Sequence, residues 1–415
     1  MIRTVDVLVV GAGPAGLAAA ARLAAAGAGR VEVLEREAAA GGVPRHCVRP
    51  GFGADARGRA LDGPAYARRA VRAALRAGAV VRTGVSVTGW AGPLTLDVTA
   101  PTGLERIRAG AVVLATGARE RPRSARLVPG TRPAGVLTTG ELQRTVARFG
   151  PHGESVGPHG KSVGRLGESV GRRAVVVGGD PVARGAVRTL RAAGVEVAAV
   201  VTGLPSAAVT SERVPVLTGT VVTELLGRGR LTGVAVRGGD GRAAVLRCDT
   251  VVFTGDWIPD HELVRARGLP LAPGTRGPVT DPGFRTAEPG VFAVGNLLRG
   301  VEPAPVAAAE GRAVADPVLE RLGGRPWPAA GVPVTAVGPL RWVTPGLTGP
   351  EAAPLLVRPE RRLVRPVLTV AQNGVPLRRE RLGGTLVPWR SVRLGARWTS
   401  GVDLTAGPVT VDAQE

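Results

Sequence analysis

The chain has 415 residues, which is enough for two or three domains with separate hydrophobic cores. It carries 54 basic and 33 acidic residues, giving a formal net charge of +21. Such a charge would ordinarily indicate nucleic acid, but Lys161 is the only lysine and the arginines are spread through every segment without a long basic run. The composition therefore argues against a nucleic-acid surface, whereas an acidic partner protein or an anionic substrate remains open.

The N-terminal stretch reads as a complete βαβ unit. An apolar strand, Val7–Val10, leads into Gly11, Gly13 and Gly16, and an Ala/Leu-rich helix and a second apolar strand then end on Glu35. The first glycine allows a sharp turn, the second leaves room for a pyrophosphate, and the third lets helix and strand pack closely. The helix N-terminus offers free N–H groups to phosphate, and the acid can accept hydrogen bonds from ribose hydroxyls. The stretch predicts a dinucleotide-binding site.

The next segment, Gly41–Gly53, is rich in Gly and Pro and is predicted to be a loop near the cofactor. Two interpretations of its polar residues stay open. Arg45 and Arg49 contact phosphate or solvent while Cys47 is packed, or else Arg45 or His46 faces the cofactor or substrate. His46 and Arg45 are accordingly the only candidate catalytic residues, and a structural role for His46 and for His261 is the alternative.

Alternating secondary structure follows. We predict a helix over Ala65–Ala77, and then short strands over Val80–Val87, Leu94–Val98 and Glu105–Ile107 that form a meander laid over the sheet. Another buried strand, Ala111–Leu114, ends in the small-residue turn Ala115-Thr116-Gly117. Parallel sheets bind ligands at the carboxyl ends of their strands, which is where this turn belongs.

Residues 150–171 contain three copies of a seven-residue unit close to GPHGESV. Two glycines per unit and no helical apolar face predict a flexible linker or surface excursion. His152 and His159 belong to this repeat, and we predict no metal site there or elsewhere in the chain.

A second strand–turn–helix–strand pattern follows over residues 172–201. Gly178, Gly179 and Ala183 lie where a second dinucleotide fingerprint would be, but the sequence reads GGDPVA and the spacing departs from GxGxxG. Asp180 places negative charge beside the expected phosphates, and no acid ends the next strand. We predict the second fold, with NAD(P) binding in doubt.

The remaining chain returns to the first fold. A strand over Thr250–Phe253 and a short strand ending at Gly295-Asn296 precede a helix over Val306–Leu322. From about residue 326 short β-type runs dominate, with hairpin signals at Asn373-Gly374 and Gly383-Gly384. This tail predicts a small β-rich domain that serves as a packing appendage or subunit interface, or else contributes to substrate binding.

Neither a targeting signal nor a cysteine motif is evident in the sequence. Asp6 and the glycines interrupt any signal-peptide core, and no run of about 18 apolar residues predicts a membrane span. Cys47 and Cys248 form no CxxC pair and suit a reducing compartment. We expect a cytoplasmic protein.

Residues 1 to about 325 resemble the flavoproteins with two dinucleotide-binding domains, the class that includes thioredoxin and glutathione reductases. Four segments, GGVPRHC, ATGARERPRSARLVPGTRPAGVLTTGELQ, TGDWIPDHEL and GVFAVGNLLRGVEPAPVAAAEGR, are most similar to the FAD-bearing subunits of opine oxidases, hydrogen cyanide synthase, dye-linked proline dehydrogenase and the large subunit of sarcosine oxidase. The resemblance implies an α/β fold with two Rossmann-like domains, the FAD domain being interrupted by an NAD(P)-like domain, plus the β-rich C-terminal domain. The implied boundaries are 1–149 and 255–325 for the FAD domain, 150–171 for the linker, 172–254 for the second domain and 326–415 for the last.

The resemblance also implies a set of cofactor contacts. Gly11, Gly13 and Gly16 would hold the FAD pyrophosphate, and Glu35 would hold its ribose. Thr116 and Gly117 would line the adenylate side, while Gly295 and Asn296 match the motif whose acid normally meets the flavin ribityl chain. Further predicted contacts flank these motifs: Pro14, Ala15, Arg36, Gly42 and Ala115.

The implied activity is that of an FAD-dependent oxidoreductase, as a subunit of an amine or amino-acid (opine-like) dehydrogenase that passes hydride from a C–N bond to FAD. A redox-active disulfide is absent from the family motif position, which excludes disulfide reduction. The implied partners are a small-molecule substrate and a second flavoprotein or ferredoxin-like subunit. Two alternatives stay open, namely an NAD(P)H-dependent reductase of a partner electron carrier and a non-catalytic FAD-binding scaffold.

Overall fold

The structure is a computed structural model that describes residues 2–55, 57–149, 154–156, 162–165, 170–209, 212–349, 351 and 353–415. The chain divides into two compact units. The first unit comprises Met1–Arg45, Arg49–Ala118 and Pro259–Glu415, and the second comprises His46–Val48 and Arg119–Ile258.

The described residues form both helices and strands. Up to Leu114 they are β1 (Ile2–Val10), α1 (Pro14–Ala25), β2 (Val31–Glu35), a 3₁₀ turn (Val43–His46), β3 (Pro50–Ala54), β4 (Ala60–Asp62), α2 (Gly63–Arg76), β5 (Val80–Thr83), β6 (Ser86–Gly92), β7 (Thr95–Ala100) and β8 (Gly103–Leu114). The middle of the chain forms β9 (Ala118–Glu120), a 3₁₀ turn (Arg123–Arg126), β10 (Val136–Thr138), α3 (Thr139–Phe149), β11 (Glu154–Val156), β12 (Ser162–Arg165), β13 (Arg173–Val177), α4 (Pro181–Ala192), β14 (Glu196–Val201), β15 (Val216–Leu217), β16 (Thr220–Leu226), β17 (Gly233–Gly238), β18 (Ala243–Arg247), β19 (Thr250–Phe253) and β20 (Trp257–Pro259). The last part forms α5 (Glu262–Ala266), β21 (Val291–Ala293), a 3₁₀ turn (Gly295–Leu297), α6 (Ala304–Ala313), α7 (Ala315–Leu322), β22 (Val334–Ala336), β23 (Leu340–Thr344), β24 (Leu355–Pro359), β25 (Leu363–Val364), β26 (Val367–Gln372), β27 (Val375–Arg381), β28 (Thr385–Leu386), β29 (Val392–Leu394), a 3₁₀ turn (Ala396–Gly401) and β30 (Val409–Gln414).

The first unit is built on a sheet of order β5-β2-β1-β8-β7-β6, with β21 also paired to β8. Strands β5, β2, β1, β8 and β21 run parallel, and β6, β7 and β8 form an antiparallel meander. Successive residues of β1 point to opposite faces: Val7 and Val9 pack with α1 and α7, whereas Leu8 and Val10 pack with the meander. The N-terminal βαβ unit, the α2 helix and the meander are therefore confirmed.

Two strand predictions in this sheet are wrong in their boundaries. The stretch Val80–Val87 contains two strands, β5 and β6, which lie in different parts of the sheet. Conversely, Glu105–Ile107 and Ala111–Leu114 belong to one twelve-residue strand, β8. Gly110 lies within β8 and does not interrupt it. A Cβ at this position would lie 2.9 Å from both the Asp6 carbonyl oxygen and the Leu322 side chain, so this glycine permits close packing.

The predicted helix over Val306–Leu322 is divided into α6 and α7 at Val314. Pro317 lacks an N–H, and its ring clashes with the carbonyl four residues earlier, which belongs to Ala313, the last residue of α6. The predicted loop Gly41–Gly53 also differs, since it contains the Val43–His46 turn and strand β3, which pairs antiparallel with β4. This strand is almost fully exposed and so shows no apolar alternation.

The second unit contains a parallel sheet of order β10-β19-β13-β14-β15 and an antiparallel sheet of order β16-β17-β18. Helices α3 and α4 pack on one face of the parallel sheet through Leu142, Val146, Val187 and Leu190. The predicted second Rossmann-like fold is thus confirmed. Strands β11 and β12 pair within the repeat. Val170 and Gly171 at the end of the repeat are also described, and Val170 is buried. The remaining repeat residues, including His152 and His159, lie outside the described residues, and the linker remains a prediction there.

The tail forms the predicted β-rich domain. Its sheets have the orders β22-β30-β26-β27, β23-β24-β29 and β25-β28, and they share one core that includes Leu355, Leu368 and Trp398. Asn373 (φ +50°) and Gly374 (φ +80°) form the predicted hairpin turn between β26 and β27. The hairpin predicted at Gly383-Gly384 is wrong, because β27 and β28 on either side belong to different sheets.

Candidate dinucleotide sites

The first candidate site lies where the parallel strands of the first unit end. Strands β2, β1, β8 and β21 are neighbours, so the residues after them share one edge of the sheet. The Gly11 N–H donates to the Leu34 carbonyl oxygen at 2.8 Å, and the Ala115 N–H donates to the Val10 carbonyl oxygen at 2.8 Å. The structure therefore brings together the first glycine motif, the end of β2 and the Ala115-Thr116-Gly117 turn.

The three glycines of the first motif have different surroundings. A Cβ at Gly11 (φ +106°) would lie 2.5 Å from the Ala115 carbonyl oxygen, and one at Gly16 would lie 1.9 Å from the Gly11 carbonyl oxygen. By contrast, no atom lies within 4 Å of a Cβ position at Gly13 or at Gly117. Close packing requires glycine at positions 11 and 16. The open space in front of Gly13 instead suits the approach of a pyrophosphate.

The N-terminus of α1 presents this open space with positive charge. Gly13 is its N-cap residue and supplies no side-chain hydrogen bond, Pro14 follows it, and the first turn contains no acid. The unbonded N–H groups and the dipole of the helix thus favour an anionic group here. Ala15 is buried against α6, since a Cβ at Gly311 would lie 2.0 Å from the Ala15 carbonyl oxygen.

Glu35 ends β2 as a buried carboxylate, 8% exposed. Its Oε2 accepts the Ala12 N–H at 3.0 Å and its Oε1 accepts the Glu37 N–H at 2.9 Å. Each oxygen keeps a second lone pair for a hydroxyl donor. The backbone bonds hold the carboxylate in position at the edge of the sheet, as a ribose-binding acid requires.

A residue that the sequence analysis did not single out connects two predicted contacts. The Asp260 carboxylate forms an ion pair with Arg36, with Oδ2 at 3.2 Å from Nη2. The Thr116 hydroxyl donates a hydrogen bond to the Asp260 backbone carbonyl oxygen at 2.7 Å. The Asp260 N–H donates to the Gly117 carbonyl oxygen at 2.9 Å. Asp260 lies in the TGDWIPDHEL segment, and that resemblance was the only sequence signal for it.

The GGVPRHC loop approaches the glycine turn at its first residues. The Gly41 N–H donates to the Ala12 carbonyl oxygen at 2.8 Å, and a Cβ at Gly42 (φ +62°) would lie 2.8 Å from the Gly13 Cα. Arg45 forms an ion pair with Glu37 and donates to the Ala39 carbonyl oxygen at 2.5 Å. Arg45 belongs to the first unit and His46 to the second, so their candidate catalytic role stays a prediction.

The late motif adds the end of β21. Gly295 (φ +72°) packs on Ala15, since a Cβ there would lie 2.7 Å from the Ala15 Cβ. Asn296 makes a reciprocal pair of bonds with the Glu302 backbone: its Oδ1 accepts the Glu302 N–H at 2.8 Å, and its Nδ2 donates to the Glu302 carbonyl oxygen at 3.3 Å. The amide is thereby oriented by the segment that follows it.

Glu310, the only acid of α6, is a further residue that sequence reasoning missed. Its Oε2 accepts the Gly295 N–H at 2.9 Å, and its other oxygen pairs with Arg299, which is 2% exposed. Burial raises the pKa of Glu310, against the lowering effect of Arg299. This carboxylate fixes the Gly295-Asn296 motif on α6.

The second candidate site aligns residue by residue with the first motif, but it has glycine at only the first of the three fingerprint positions, so its departure from GxGxxG stands. Both α1 and α4 begin with proline directly after the N-cap residue. GAGPAG and GGDPVA therefore align, with Asp180 in the place of Gly13 and Ala183 in the place of Gly16. A Cβ at Gly178 would lie 2.0 Å from Thr254 Oγ1, and one at Gly179 would lie 2.8 Å from Thr202 Oγ1.

Asp180 changes the chemistry of this helix end. Its Oδ1 accepts the Ala183 N–H at 2.9 Å, so the aspartate caps α4 with its own negative charge. Burial of the carboxyl raises the pKa of Asp180. A second carboxyl of the unit, Glu120, is 7% exposed, and burial raises its pKa to about 7 although the Gly140 N–H donates to it at 2.9 Å. At the α4 N-terminus, the Ala183 N–H is thus already bonded to the Asp180 carboxylate and does not face a phosphate ligand unpaired.

Cys47 and Cys248 are both buried, and the structure shows no disulfide between them. The Cys47 thiol donates to Gln143 Oε1 at 3.2 Å, and burial raises the pKa of the Cys248 thiol to about 12. No metal-ligating cluster occurs among the described residues, and no described helix is long and apolar enough to cross a membrane.

The fold and the first site together define a flavoprotein with two dinucleotide-binding folds. A family model described as pyridine nucleotide-disulphide oxidoreductase matches residues 5–311, and the chain belongs to this family. FAD is the family's cofactor, and the uncapped α1 N-terminus, the open space at Gly13 and Gly117 and the fixed Glu35 carboxylate fit it. The chain is an FAD-dependent oxidoreductase family member with an α/β fold.

Solved structures give the same fold. Thioredoxin reductase from T. acidophilum is 21% identical, covers 78% of this chain and 99% of its own, and superposes with a TM-score of 0.59. A NAD-dependent persulfide reductase from A. fulgidus is 18% identical, covers 89% of this chain and 68% of its own, and has a TM-score of 0.58. L-proline dehydrogenase from P. horikoshii is 18% identical, covers 78% of this chain and 57% of its own, and has a TM-score of 0.54. No curated protein matches the sequence.

Proposed function

We propose that the chain is the FAD-bearing subunit of an amine or amino-acid dehydrogenase, of the opine-oxidising kind, that works without a redox-active disulfide. When bound, FAD would supply a two-electron acceptor for a hydride from the substrate C–N unit, with a proton released to solvent and water hydrolysing the imine product. The proposed substrate is a small amine, and the proposed partner is a second flavoprotein or ferredoxin-like subunit that removes the electrons. The four motif segments and the fold shared with a proline dehydrogenase support this proposal.

The observation that carries the proposal is the contrast between the two helix N-termini. At α1 the residue after the turn is Gly13 and the helix is uncapped, whereas at α4 it is Asp180 and the helix is capped by a carboxylate. A nicotinamide dinucleotide at the second site would place its pyrophosphate against this carboxylate, and like charges at such close range disfavour binding. Electrons are therefore expected from an organic substrate and not from NADH or NADPH.

The residues of this chain bind and orient the cofactor. The α1 N-terminus and the Gly13 turn hold the pyrophosphate, Glu35 holds the ribose, and the Gly295-Asn296 segment holds the flavin side. Thr116 and Asp260 fix the turn beside the adenylate. Cys47 and Cys248 take no part, because a disulfide reductase needs two neighbouring thiols.

The test is anaerobic reduction of the bound flavin, monitored by its visible absorbance. Proline, sarcosine and a set of opines are offered in turn, with NADH and NADPH as comparison reductants, to the chain alone and to the chain with its co-purifying subunit. Bleaching by one amine and indifference to both nicotinamides supports the proposal. Prompt bleaching by NADH or NADPH would overturn it in favour of a reductase of an electron carrier, and a flavin that no reductant bleaches would favour a scaffold.

A further inference from the structure

The C-terminal domain contacts the segment Gly295–Pro303, which begins with the Gly295-Asn296 motif and continues after it. Arg358 of β24 donates from Nη1 to the Gly300 carbonyl oxygen at 3.1 Å and from Nη2 to the Val301 carbonyl oxygen at 3.1 Å. Its Nη2 also pairs with Glu302 Oε1 at 2.9 Å. One guanidinium thus holds three consecutive residues of this segment.

A second side chain of the same domain meets the same acid. The Ser391 hydroxyl donates to Glu302 Oε1 at 2.7 Å. Glu302 is 8% exposed and Arg358 is 6% exposed, and the guanidinium lies 4.9 Å from the centre of the Trp342 ring. A buried charge pair of this kind is rigid and geometrically demanding, because each partner needs its hydrogen bonds filled.

Glu302 transmits this anchoring to the flavin motif through its backbone. The reciprocal bonds between Asn296 and the Glu302 main chain fix the Asn296 amide. Arg299 adds a parallel link, because it pairs with Glu310, the carboxylate that accepts the Gly295 N–H, and lies 3.8 Å from Glu302. The path from the C-terminal domain to both residues of the motif is made of direct contacts.

We propose that Arg358 and Ser391 are positioning residues for FAD, which act through Glu302 to fix Asn296 at the ribityl chain. The β-rich domain is then part of the cofactor site and more than a packing appendage. This inference rests on the assignment of Gly295-Asn296 to the flavin, and it names no direct contact between the C-terminal domain and FAD. It predicts that loss of either side chain weakens and alters flavin binding without touching the first glycine motif.

The experiment compares Arg358→Met and Ser391→Ala with Arg285→Met. Arg285 is a matched control, because it is also 6% exposed and pairs with Asp281, Glu320 and Glu351 but not with the Gly295–Pro303 segment. FAD affinity is measured on deflavinated protein by quenching of flavin fluorescence, and the bound flavin is examined by visible circular dichroism. Thermal unfolding of each apoprotein records the general cost of losing a buried arginine.

We expect R358M to weaken FAD binding about tenfold and S391A about threefold, with an altered flavin dichroism, as the loss of a charged and a neutral hydrogen bond would give. R285M is expected to lower the unfolding temperature while its FAD affinity stays within about twofold of the unchanged protein. R358M and R285M with equal effects on FAD binding, or R358M with none, would overturn the proposal. Failure of the unchanged chain to bind FAD would instead overturn the cofactor assignment itself.

A double-mutant cycle separates positioning from a general structural role. If Arg358 acts through Asn296, the R358M effect on FAD affinity should largely disappear in an Asn296→Ala background. Additive effects of the two substitutions would contradict the proposed path. Arg358→Lys is expected to recover only part of the affinity, because an ammonium can pair with Glu302 but cannot reach both carbonyl oxygens in the planar geometry of a guanidinium.

Discussion

The N-cap residue gives the two helix N-termini different chemistry, although the strands, prolines and helices around them match. Gly13 leaves its helix end open, and Asp180 fills the equivalent place with a carboxylate bonded to Ala183. Asp at this place is a good N-cap, which stabilises a helix by about 1 kcal/mol relative to Ala and by roughly a few tenths of a kcal/mol relative to Gly. The same substitution that stabilises the helix therefore opposes a phosphate ligand.

An aspartate placed at the α1 N-cap is predicted to weaken FAD binding without lowering the stability of the apoprotein. Gly13→Asp is expected to weaken FAD binding by about 100-fold or more, since one carboxylate at the pyrophosphate costs several charged hydrogen bonds, while the apoprotein unfolds at an unchanged or higher temperature. Flavin absorbance after gel filtration and calorimetry of the apoprotein measure the two effects. Gly383→Asp is the control, because a Cβ there also meets no atom within 4 Å but lies in a loop of the C-terminal domain; FAD retained by Gly13→Asp would contradict the site assignment.

Glu120 gives a pH-dependent prediction in the second unit. Burial raises its pKa to about 7 from an ordinary value near 4.5, so the folded state binds a proton that the unfolded state has released between these values. The free energy of unfolding therefore falls as the pH rises from about 4.5 to about 7, by up to about 3 kcal/mol from this group.

The measurement is urea unfolding at several pH values for the unchanged chain and for Glu120→Gln. The amide oxygen of Gln can still accept the Gly140 N–H but cannot ionise. The stability difference in favour of Glu120→Gln should grow from about pH 5 to about pH 8. A constant difference across this range would show that Glu120 is ionised in the folded protein throughout.

At the scale of the elements, one buried ion cluster joins four neighbouring strands of the first sheet. Glu32 of β2 is fully buried and pairs with Arg3 of β1 at 2.5 Å and with Arg82 of β5 at 3.1 Å, and both arginines also pair with Glu105 of β8. Burial alone would raise the pKa of Glu32, but the hydrogen bonds from Arg3 and Arg82 outweigh it and hold the pKa below its usual value. The cluster fixes the end of the sheet opposite the cofactor edge.

Glu32→Gln is expected to lower the free energy of unfolding by about 2 kcal/mol near neutral pH, because the half-buried Arg3 and Arg82 lose the buried carboxylate between them and keep only Glu105 as an anionic partner. The stabilisation belongs to a carboxylate with a lowered pKa, so it is lost as the pH falls below about 4. Asp97→Asn is the control in the same sheet, since Asp97 pairs with Arg106 on the surface and should change stability by about 0.5 kcal/mol or less. Equal effects of the two substitutions in urea unfolding would refute the role of burial.

The sequence predicted those elements whose pattern is local. The N-terminal βαβ unit, α2 and the Asn373-Gly374 turn carry strong periodic or turn signals and were correct. Errors fell where a glycine or proline acts through distant neighbours. Separate strands were predicted on either side of Gly110, whereas this glycine lies within β8 and permits α7 to approach it. Pro317 divides a predicted helix because in a continuous helix its ring would clash with the carbonyl four residues earlier.

The candidate site follows the same rule. The Gly13 turn and Glu35 could be found from spacing, because chain neighbours build them. Asp260 and Arg358 could not, because their partners are distant in the sequence, up to 224 residues away for the bond between Asp260 and Arg36. Glu310 could not either, because its partners Gly295 and Arg299 lie outside its own helix. The register of GGDPVA also became clear only when both prolines were seen in the first turn of their helices.

At the scale of the whole molecule, the chain contains two similar folds with unlike helix ends and a C-terminal domain tied to the late flavin motif. The fold and family account for FAD, and the direction of electron flow depends on the second site. Under the proposed function, the uncapped first helix end and the second helix end capped by Asp180 predict that one chain binds one dinucleotide. This claim underlies the proposed dehydrogenase activity, because a working second site would make NAD(P)H the natural reductant.

The most direct test is the stoichiometry of dinucleotides bound per chain, measured by equilibrium dialysis of the purified holoprotein against FAD, NADH and NADPH. The account predicts one FAD per chain and no bound nicotinamide at concentrations that saturate FAD. It further predicts that Gly13→Asp loses the FAD, while Asp180→Gly, which recreates the first motif at the second site, keeps it. One FAD together with one tightly bound NADH or NADPH in the unchanged protein would contradict the account.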